Sequence, residues 1–111
     1  MKPKDEEKLQ AITRATFTLV EQTGLSGLTM SAIAREAGLA TGTLYVYFKS
    51  KEALLTALYE QAKTETTASL LRGDDPQAPF RSRFQRMWLN WLEHRLAHAA
   101  QMVFTEQYYN S

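Results

Sequence analysis

The chain has 111 residues, of which 44% are hydrophobic, 23% charged and 11% aromatic, and 13 basic and 12 acidic residues leave a formal net charge of +1. This length corresponds to one globular domain or slightly more, which can bury a core without disulfides or metals. The lack of cysteine excludes a disulfide framework, a thiolate metal cage and a cysteine nucleophile. A net charge of +1 does not by itself indicate a nucleic-acid partner, so such a function must depend on local placement.

The first ten residues are charged and lack the apolar core of a signal peptide. No uninterrupted apolar run approaches the roughly 20 residues that a membrane-spanning helix needs. We therefore expect a cytoplasmic protein without a membrane segment.

Apolar residues at spacings of three and four predict a first helix from Asp5 to Thr23, which Gly24 ends because glycine adopts the left-handed cap conformation at little cost. Thr29 is placed to cap a short second helix that extends to Ala37. A third helix, residues 42–48, follows after a tight glycine turn. Two short helices joined in this way form a helix-turn-helix.

Ser50 is a suitable N-cap for a longer helix from about Lys51 to Arg72, and residues 73–79, with two prolines, a glycine and two acids, predict a loop. Bulky apolar residues at helical spacing then predict either one long helix or two helices kinked near His98. The predicted fold is all-α: a three-helix helix-turn-helix domain in residues 1–51, a connecting helix in residues 52–72, and a partial helical module in residues 80–111.

The third helix carries residue types suited to the major groove of DNA. The small Thr-Gly-Thr segment at residues 41–43 lets the backbone approach base edges. Tyr45 and Tyr47 lie about 200° apart around a helix of 3.6 residues per turn, so each can contact a different phosphate strand. Lys51 and the free N–H groups at the start of its helix form a further phosphate site.

The segment from Gly24 to Leu55 resembles the N-terminal DNA-binding domain of TetR-type transcriptional regulators. The matching motifs are Ala37-Gly38, Gly42-Thr43-Leu44-Tyr45, Tyr47-Phe48 and Ser50-Lys51-Glu52. The resemblance implies a homodimeric repressor that binds a double-stranded DNA operator of two inverted half-sites and is released by a small hydrophobic effector. The residues that it implies at the DNA are Thr29, Ser31, Thr41, Gly42, Thr43, Tyr45, Val46, Tyr47 and Lys51.

Two features depart from the family pattern. Ala40 replaces the serine that commonly precedes the third helix, so we expect Thr41 to cap this helix instead. Family members also continue into a larger helical domain whose later helices dimerise and complete a ligand pocket, whereas the second module here covers only residues 80–111.

The last region contains candidates for an effector pocket, although the same apolar stripe fits a core or dimer-facing helix even better. His94 and His98 have the spacing of two metal ligands, but Arg95 follows His94 where the zinc-peptidase pattern has glutamate, and no third ligand is evident. We therefore predict no metal, no cofactor and no enzyme activity. The pocket candidates are Phe84, Met87, Trp88, Trp91, His94 and His98.

A second interpretation stays open, namely a helical effector-binding or protein-interaction module that keeps a vestigial helix-turn-helix. The low net charge, Ala40 and the aromatic segment favour it. Sequence-selective DNA binding that depends on Thr43 and Tyr45 would distinguish the two interpretations.

Overall fold

The computed structural model describes residues 4–111, without the side chain of Lys4, so the first three residues of the predicted N-terminal region lie outside the described part. This part contains six α-helices, one 3-10 turn and no strand, which confirms the all-α prediction. None of its helices is both long and apolar enough to cross a membrane. The elements are α1 (Lys4–Thr23), a 3-10 turn (Leu25–Gly27), α2 (Met30–Ala37), α3 (Thr41–Tyr47), α4 (Lys51–Leu71), α5 (Phe80–Ala97) and α6 (Ala99–Tyr109).

The first three helices pack around a small apolar core. Ile12 and Val20 of α1 meet Ile33 of α2 and Leu44 of α3, and all four side chains are fully buried. Thr16 is also fully buried, and its hydroxyl donates to the Ile12 carbonyl at 2.9 Å, so its polar group is satisfied. The predicted apolar stripe of α1 is therefore the face that holds the helix-turn-helix together.

Local capping residues determine three of the helix ends, whereas Gly24 after α1 has φ 80° and ψ 163° and so does not adopt the predicted left-handed conformation. Thr29 accepts a hydrogen bond from the Ala32 amide at the start of α2, and Ser50 accepts one from the Ala53 amide at the start of α4, each at 3.1 Å. Gly38 ends α2 in the left-handed conformation at φ 75°.

The start of α3 differs from the expectation. Ala40 occupies the N-cap position without a side-chain hydrogen bond, and Thr41 is the first residue of the helix. The prediction that Thr41 caps α3 is therefore wrong. The amide of Leu44, the fourth residue of α3, donates to the Ala40 carbonyl at 3.2 Å. The N-cap is therefore Ala40, one residue before Thr41.

The region from residue 80 to residue 111 contains two helices, which decides between the two alternatives that the sequence left open. His98 has φ −128° and ψ 46°, so the helical path breaks there and α6 starts at Ala99. The buried Asn90 of α5 donates from Nδ2 to the Leu70 carbonyl at 3.0 Å and to the Arg72 carbonyl at 2.9 Å. This side chain ties the end of α4 to α5.

Helix α6 returns to the N-terminal core. Phe104 is fully buried, and its ring centroid lies 5.2 Å from that of Phe17 on α1. Gln107 accepts a hydrogen bond from the Leu25 amide at 2.8 Å, next to the turn between α1 and α2. One continuous core therefore includes α6 as well as the helix-turn-helix, while the predicted division into three regions stays a prediction.

Candidate nucleic-acid interface

Helix α3 presents one apolar residue to the core and its other face to solvent. The Leu44 side chain is fully buried, whereas Tyr45 is 47% and Val46 82% exposed. Thr41 and Gly42 in the first turn are exposed, and Thr43 is half-buried. A short helix with small residues at its exposed start and larger ones along its flank has the shape that a groove-binding helix needs.

Two further candidates lie at the start of α2. Thr29 and Ser31 are both exposed. The cap bond of Thr29 uses a lone pair of its hydroxyl, so the hydroxyl hydrogen is not consumed by that bond. Both side chains can therefore donate to a polar group that approaches the start of this helix.

Tyr47 and Lys51 form hydrogen bonds within the protein. The Tyr47 hydroxyl donates to Asp5 Oδ1 at 2.8 Å. This bond, followed by partial desolvation and the carboxylate charge, raises the pKa of Tyr47 above its ordinary value. Lys51 Nζ donates to the Leu28 carbonyl at 3.2 Å, and an ammonium group keeps two further hydrogens for other acceptors.

The aromatic candidates of α5 lie on the surface. Phe84 and Trp88 are more than half exposed and, with Gln85 and Leu89, line a shallow depression of about 390 Å³. Trp91 is 40% exposed and lies under the Arg95 guanidinium, 5.5 Å from the ring centroid. Met87 is exposed on the same helix.

His94, in contrast, is buried between α4, α5 and α6. Its Nε2 lies 3.1 Å from both Thr66 Oγ1 and Gln101 Oε1. The Thr66 hydroxyl already donates to the Ala62 carbonyl, and the Gln101 amide donates to Glu65, so both partners act as acceptors. These partners assign the hydrogen to Nε2 and leave Nδ1 as a buried acceptor without a partner in the described part of the chain.

His98 stacks on His94 with ring centroids 4.2 Å apart, but it is exposed and lines a separate cleft of about 300 Å³ beside Arg14 and Gln101. The structure thus brings the two histidines together and places them away from the Phe84 depression. Residues 4–111 contain no group of three or more His, Asp or Glu side chains that could hold a metal ion.

Comparison with known proteins shows which family and which relatives the chain resembles. The family of bacterial regulatory proteins of the tetR type matches residues 12–58. An uncharacterized HTH-type transcriptional regulator of Haemophilus influenzae is 36% identical over 81 residues, which cover 73% of this chain and 43% of the relative. The class A tetracycline repressor protein from transposon 1721 of Escherichia coli is 38% identical over 76 residues, which cover 66% of this chain and 35% of the relative.

Solved structures agree with the sequence matches. A TetR family transcription regulator from Marinobacter aquaeolei superposes with a TM-score of 0.90 at 27% identity over 100% of this chain and 58% of that chain. A TetR-family transcriptional regulator from Haemophilus influenzae superposes with a TM-score of 0.85 at 29% identity, over 96% of this chain and 58% of that chain.

The chain belongs to the TetR family. The matched segment of this TetR-family chain runs from the middle of α1 into α4 and contains the whole helix-turn-helix. The chain spans less than half the length of the curated relatives described above and 58% of the two solved structures.

The sequence interpretation missed Asp5, which accepts a hydrogen bond from the candidate DNA residue Tyr47. Asp5 lies 42 positions before Tyr47 in the acidic first turn of α1. Acidic residues are common at this position because they interact favourably with the helix dipole. Helical spacing cannot indicate a contact between two different helices. Tyr47 and the acidic first turn of α1 are both visible in the sequence. Their contact results only from the packing of α1 on α2 and α3.

Proposed function

We propose that this TetR-family chain is a sequence-specific DNA-binding transcriptional regulator and that α3 enters the major groove of an operator duplex. The observation that carries this proposal is the exposed flank of α3, where Tyr45 and Val46 stand in solvent above the fully buried Leu44. Val46 is suited to contact a thymine methyl, and the small first turn allows close approach to base edges. Residues 29, 31, 41–43, 45–47 and 51 form the proposed interface.

Selection of bound sequences from a random duplex library tests the proposal. The native chain should enrich one inverted-repeat sequence, and the variant Tyr45→Ala/Val46→Ala should not. Tyr109→Ala is the control, because it removes a 78% exposed tyrosine that does not belong to the proposed interface. If a folded native chain enriches no sequence, either the residues that dimerise it are missing or the helix-turn-helix is vestigial, and its mass in solution distinguishes the two.

Lys51 provides a separate test of phosphate contact. Lys51→Ala should weaken binding to all sequences alike and reduce the slope of log K against log salt by about 1, as expected for one lost phosphate contact. Lys63→Ala is the control, since Lys63 is an exposed lysine farther along the same helix. The bond from Lys51 to the Leu28 carbonyl makes a check of thermal stability necessary. An unchanged salt slope in a folded variant would remove Lys51 from the interface.

The proposal extends to a homodimeric repressor whose two recognition helices contact half-sites about 34 to 36 Å apart, the repeat of one groove face. A relative that carries the name tetracycline repressor supports repression, and the exposed apolar residues of α5 support association, since monomers seldom expose large apolar patches. Solution mass against concentration tests dimerisation, and transcription from a promoter carrying the selected site tests repression. Such a regulator works in the cytoplasm, where bacterial DNA lies.

A small hydrophobic effector would release the regulator from DNA. Two separate places are proposed for it, namely the depression beside the exposed aromatic residues of α5 and the site of the two histidines at the break between α5 and α6. The unpartnered Nδ1 of His94 is an acceptor that a donor group of the effector would satisfy. Release requires that the effector binds the DNA-free conformation more tightly than the DNA-bound one. Quenching of Trp88 and Trp91 fluorescence, measured together with loss of operator binding, tests this step. The candidates are Phe84, Met87, Trp88 and Trp91 at the first place, and His94 and His98 at the second.

A further inference from the structure

The hydrogen bond between Tyr47 and Asp5 affects a residue that the resemblance assigns to a DNA phosphate. The hydroxyl has a single hydrogen, and a carboxylate can only accept, so at 2.8 Å that hydrogen belongs to the bond with Asp5. A bond to a charged acceptor is stronger than one between neutral groups. The only donor of the Tyr47 side chain is therefore already in use.

A DNA phosphate is likewise an acceptor without a hydrogen. The phosphate cannot accept a hydrogen bond from Tyr47 until the bond between the Tyr47 hydroxyl and Asp5 breaks. The Asp5 carboxylate is also exposed, and it stands beside the flank of α3 that would face the DNA backbone. Two like charges at close range repel each other, most strongly at low salt.

We propose that Asp5 lowers the affinity of this chain for DNA in two ways. Its carboxylate holds the hydrogen of the Tyr47 hydroxyl, and its negative charge repels the phosphate that Tyr47 would otherwise contact. This inference rests on the proposed DNA-binding function. Because phosphate contacts carry no base information, Asp5 reduces affinity for all sequences alike and leaves the choice of operator unchanged.

The test compares Asp5→Ala with Glu6→Ala on the full chain. Both changes remove one carboxylate from the first turn of α1, but only the first frees Tyr47. The duplex is the inverted repeat recovered by selection, with a scrambled duplex of equal length beside it. Asp5→Ala should bind both duplexes about 5-fold more tightly at low salt, as expected for a repulsion of about 1 kcal/mol between charges in water. Glu6→Ala should give a smaller gain.

A double-mutant cycle with Tyr47→Phe isolates the hydroxyl. Loss of the hydroxyl should change DNA affinity little while Asp5 is present, and it should cancel the excess gain in the Asp5→Ala background. If the contact only braces α3, Asp5→Ala and Tyr47→Phe will each weaken binding, and the proposal is overturned. It also fails if Asp5→Ala binds no more tightly than Glu6→Ala.

Two further measurements show whether a change in DNA affinity is caused by a loss of folding. Helicity and thermal stability are recorded for every variant, and Asp5→Leu with Glu6→Leu replaces the alanine pair if Asp5→Ala loses helicity, because leucine has no hydrogen-bond acceptor and is a good helix former, and the same ranking is expected. If no variant and no native chain binds any duplex, the DNA-binding function itself fails. If the native chain binds and the Asp5 and Glu6 variants are equal, only the role of Asp5 fails.

Discussion

Ala40 is a residue whose replacement should improve the fold. It occupies the N-cap of α3 at φ −70° and ψ 146°, an extended conformation that suits a capping side chain, but it has no group to accept a hydrogen bond. Ala40→Thr should raise the free energy of unfolding by about 0.5–2 kcal/mol. Urea denaturation measures the change. Ala40→Val has the same shape without the hydroxyl, so an equal gain in that variant would rule out capping as the cause.

Asp74 and Arg83 form a two-point ion pair across the loop between α4 and α5. Arg83 donates from Nε and one terminal nitrogen to the two carboxylate oxygens at 3.0 and 2.8 Å. The hydrogen bond from Arg83 is the main cause that lowers the pKa of Asp74 below its ordinary value of 3.8. Since the folded state has the lower pKa, the pair stabilises the fold above pH 3.8, and this contribution is lost as the pH falls through the lowered value.

Asp74→Asn should therefore reduce the thermal midpoint at neutral pH, and the difference from the native chain should shrink as the pH falls below 3.8. Thermal unfolding at a series of pH values measures this difference. Glu93→Gln is the control, because the pair of Glu93 with Arg72 is about two-thirds exposed on both sides and such pairs contribute little. A difference that stays constant with pH would show that the carboxylate charge is not involved.

At the scale of elements, the end of α4 is closed by a side chain from α5. The Nδ2 group of Asn90 donates hydrogen bonds to the carbonyls of Leu70 and Arg72, which would otherwise lack partners at the helix end. Asn90 is 4% exposed, so water cannot easily replace it. This single amide fixes how the hairpin of α4 and α5 closes.

Asn90→Ala should destabilise the chain by about 1–3 kcal/mol, because it leaves these carbonyls unsatisfied. Asn110→Ala is matched in chemistry, since Asn110 donates from Nδ2 to the Glu106 carbonyl at 2.9 Å, but that residue is exposed. Chemical denaturation of both variants should show a loss only for Asn90. Equal losses would mean that burial does not matter here.

Three helix ends were predictable because their causes are local. Thr29, Ser50 and Gly38 act within one helical turn, and the structure has them in their expected roles. The contact of Tyr47 with Asp5 and the closure by Asn90 were not predictable, because they join residues of different helices. Among the candidate DNA residues, the internal bonds of Tyr47 and Lys51 could not be predicted from helical periodicity, because each joins separate parts of the chain.

At the scale of the whole molecule, α6 completes the core that α1 begins. Phe104→Ala should cost about 3–5 kcal/mol, as expected for a buried aromatic side chain, and Phe104→Leu less. The loss should affect all helices together, since Phe104 packs on Phe17 of α1. Trp88 and Trp91 report on α5 by fluorescence, while circular dichroism reports on every helix. Coincident transitions of both signals are expected, and separate ones would show that the helix-turn-helix unfolds by itself.

The position of Phe104 also has a consequence for biosynthesis. A ribosome releases α1 first, but the apolar side chain that covers Phe17 lies 87 residues later in the sequence (104 − 17). Until α6 emerges, the nascent helix-turn-helix carries an incompletely covered apolar face. Newly made chains should therefore depend on chaperones until α6 is translated, because transiently exposed apolar surface promotes aggregation.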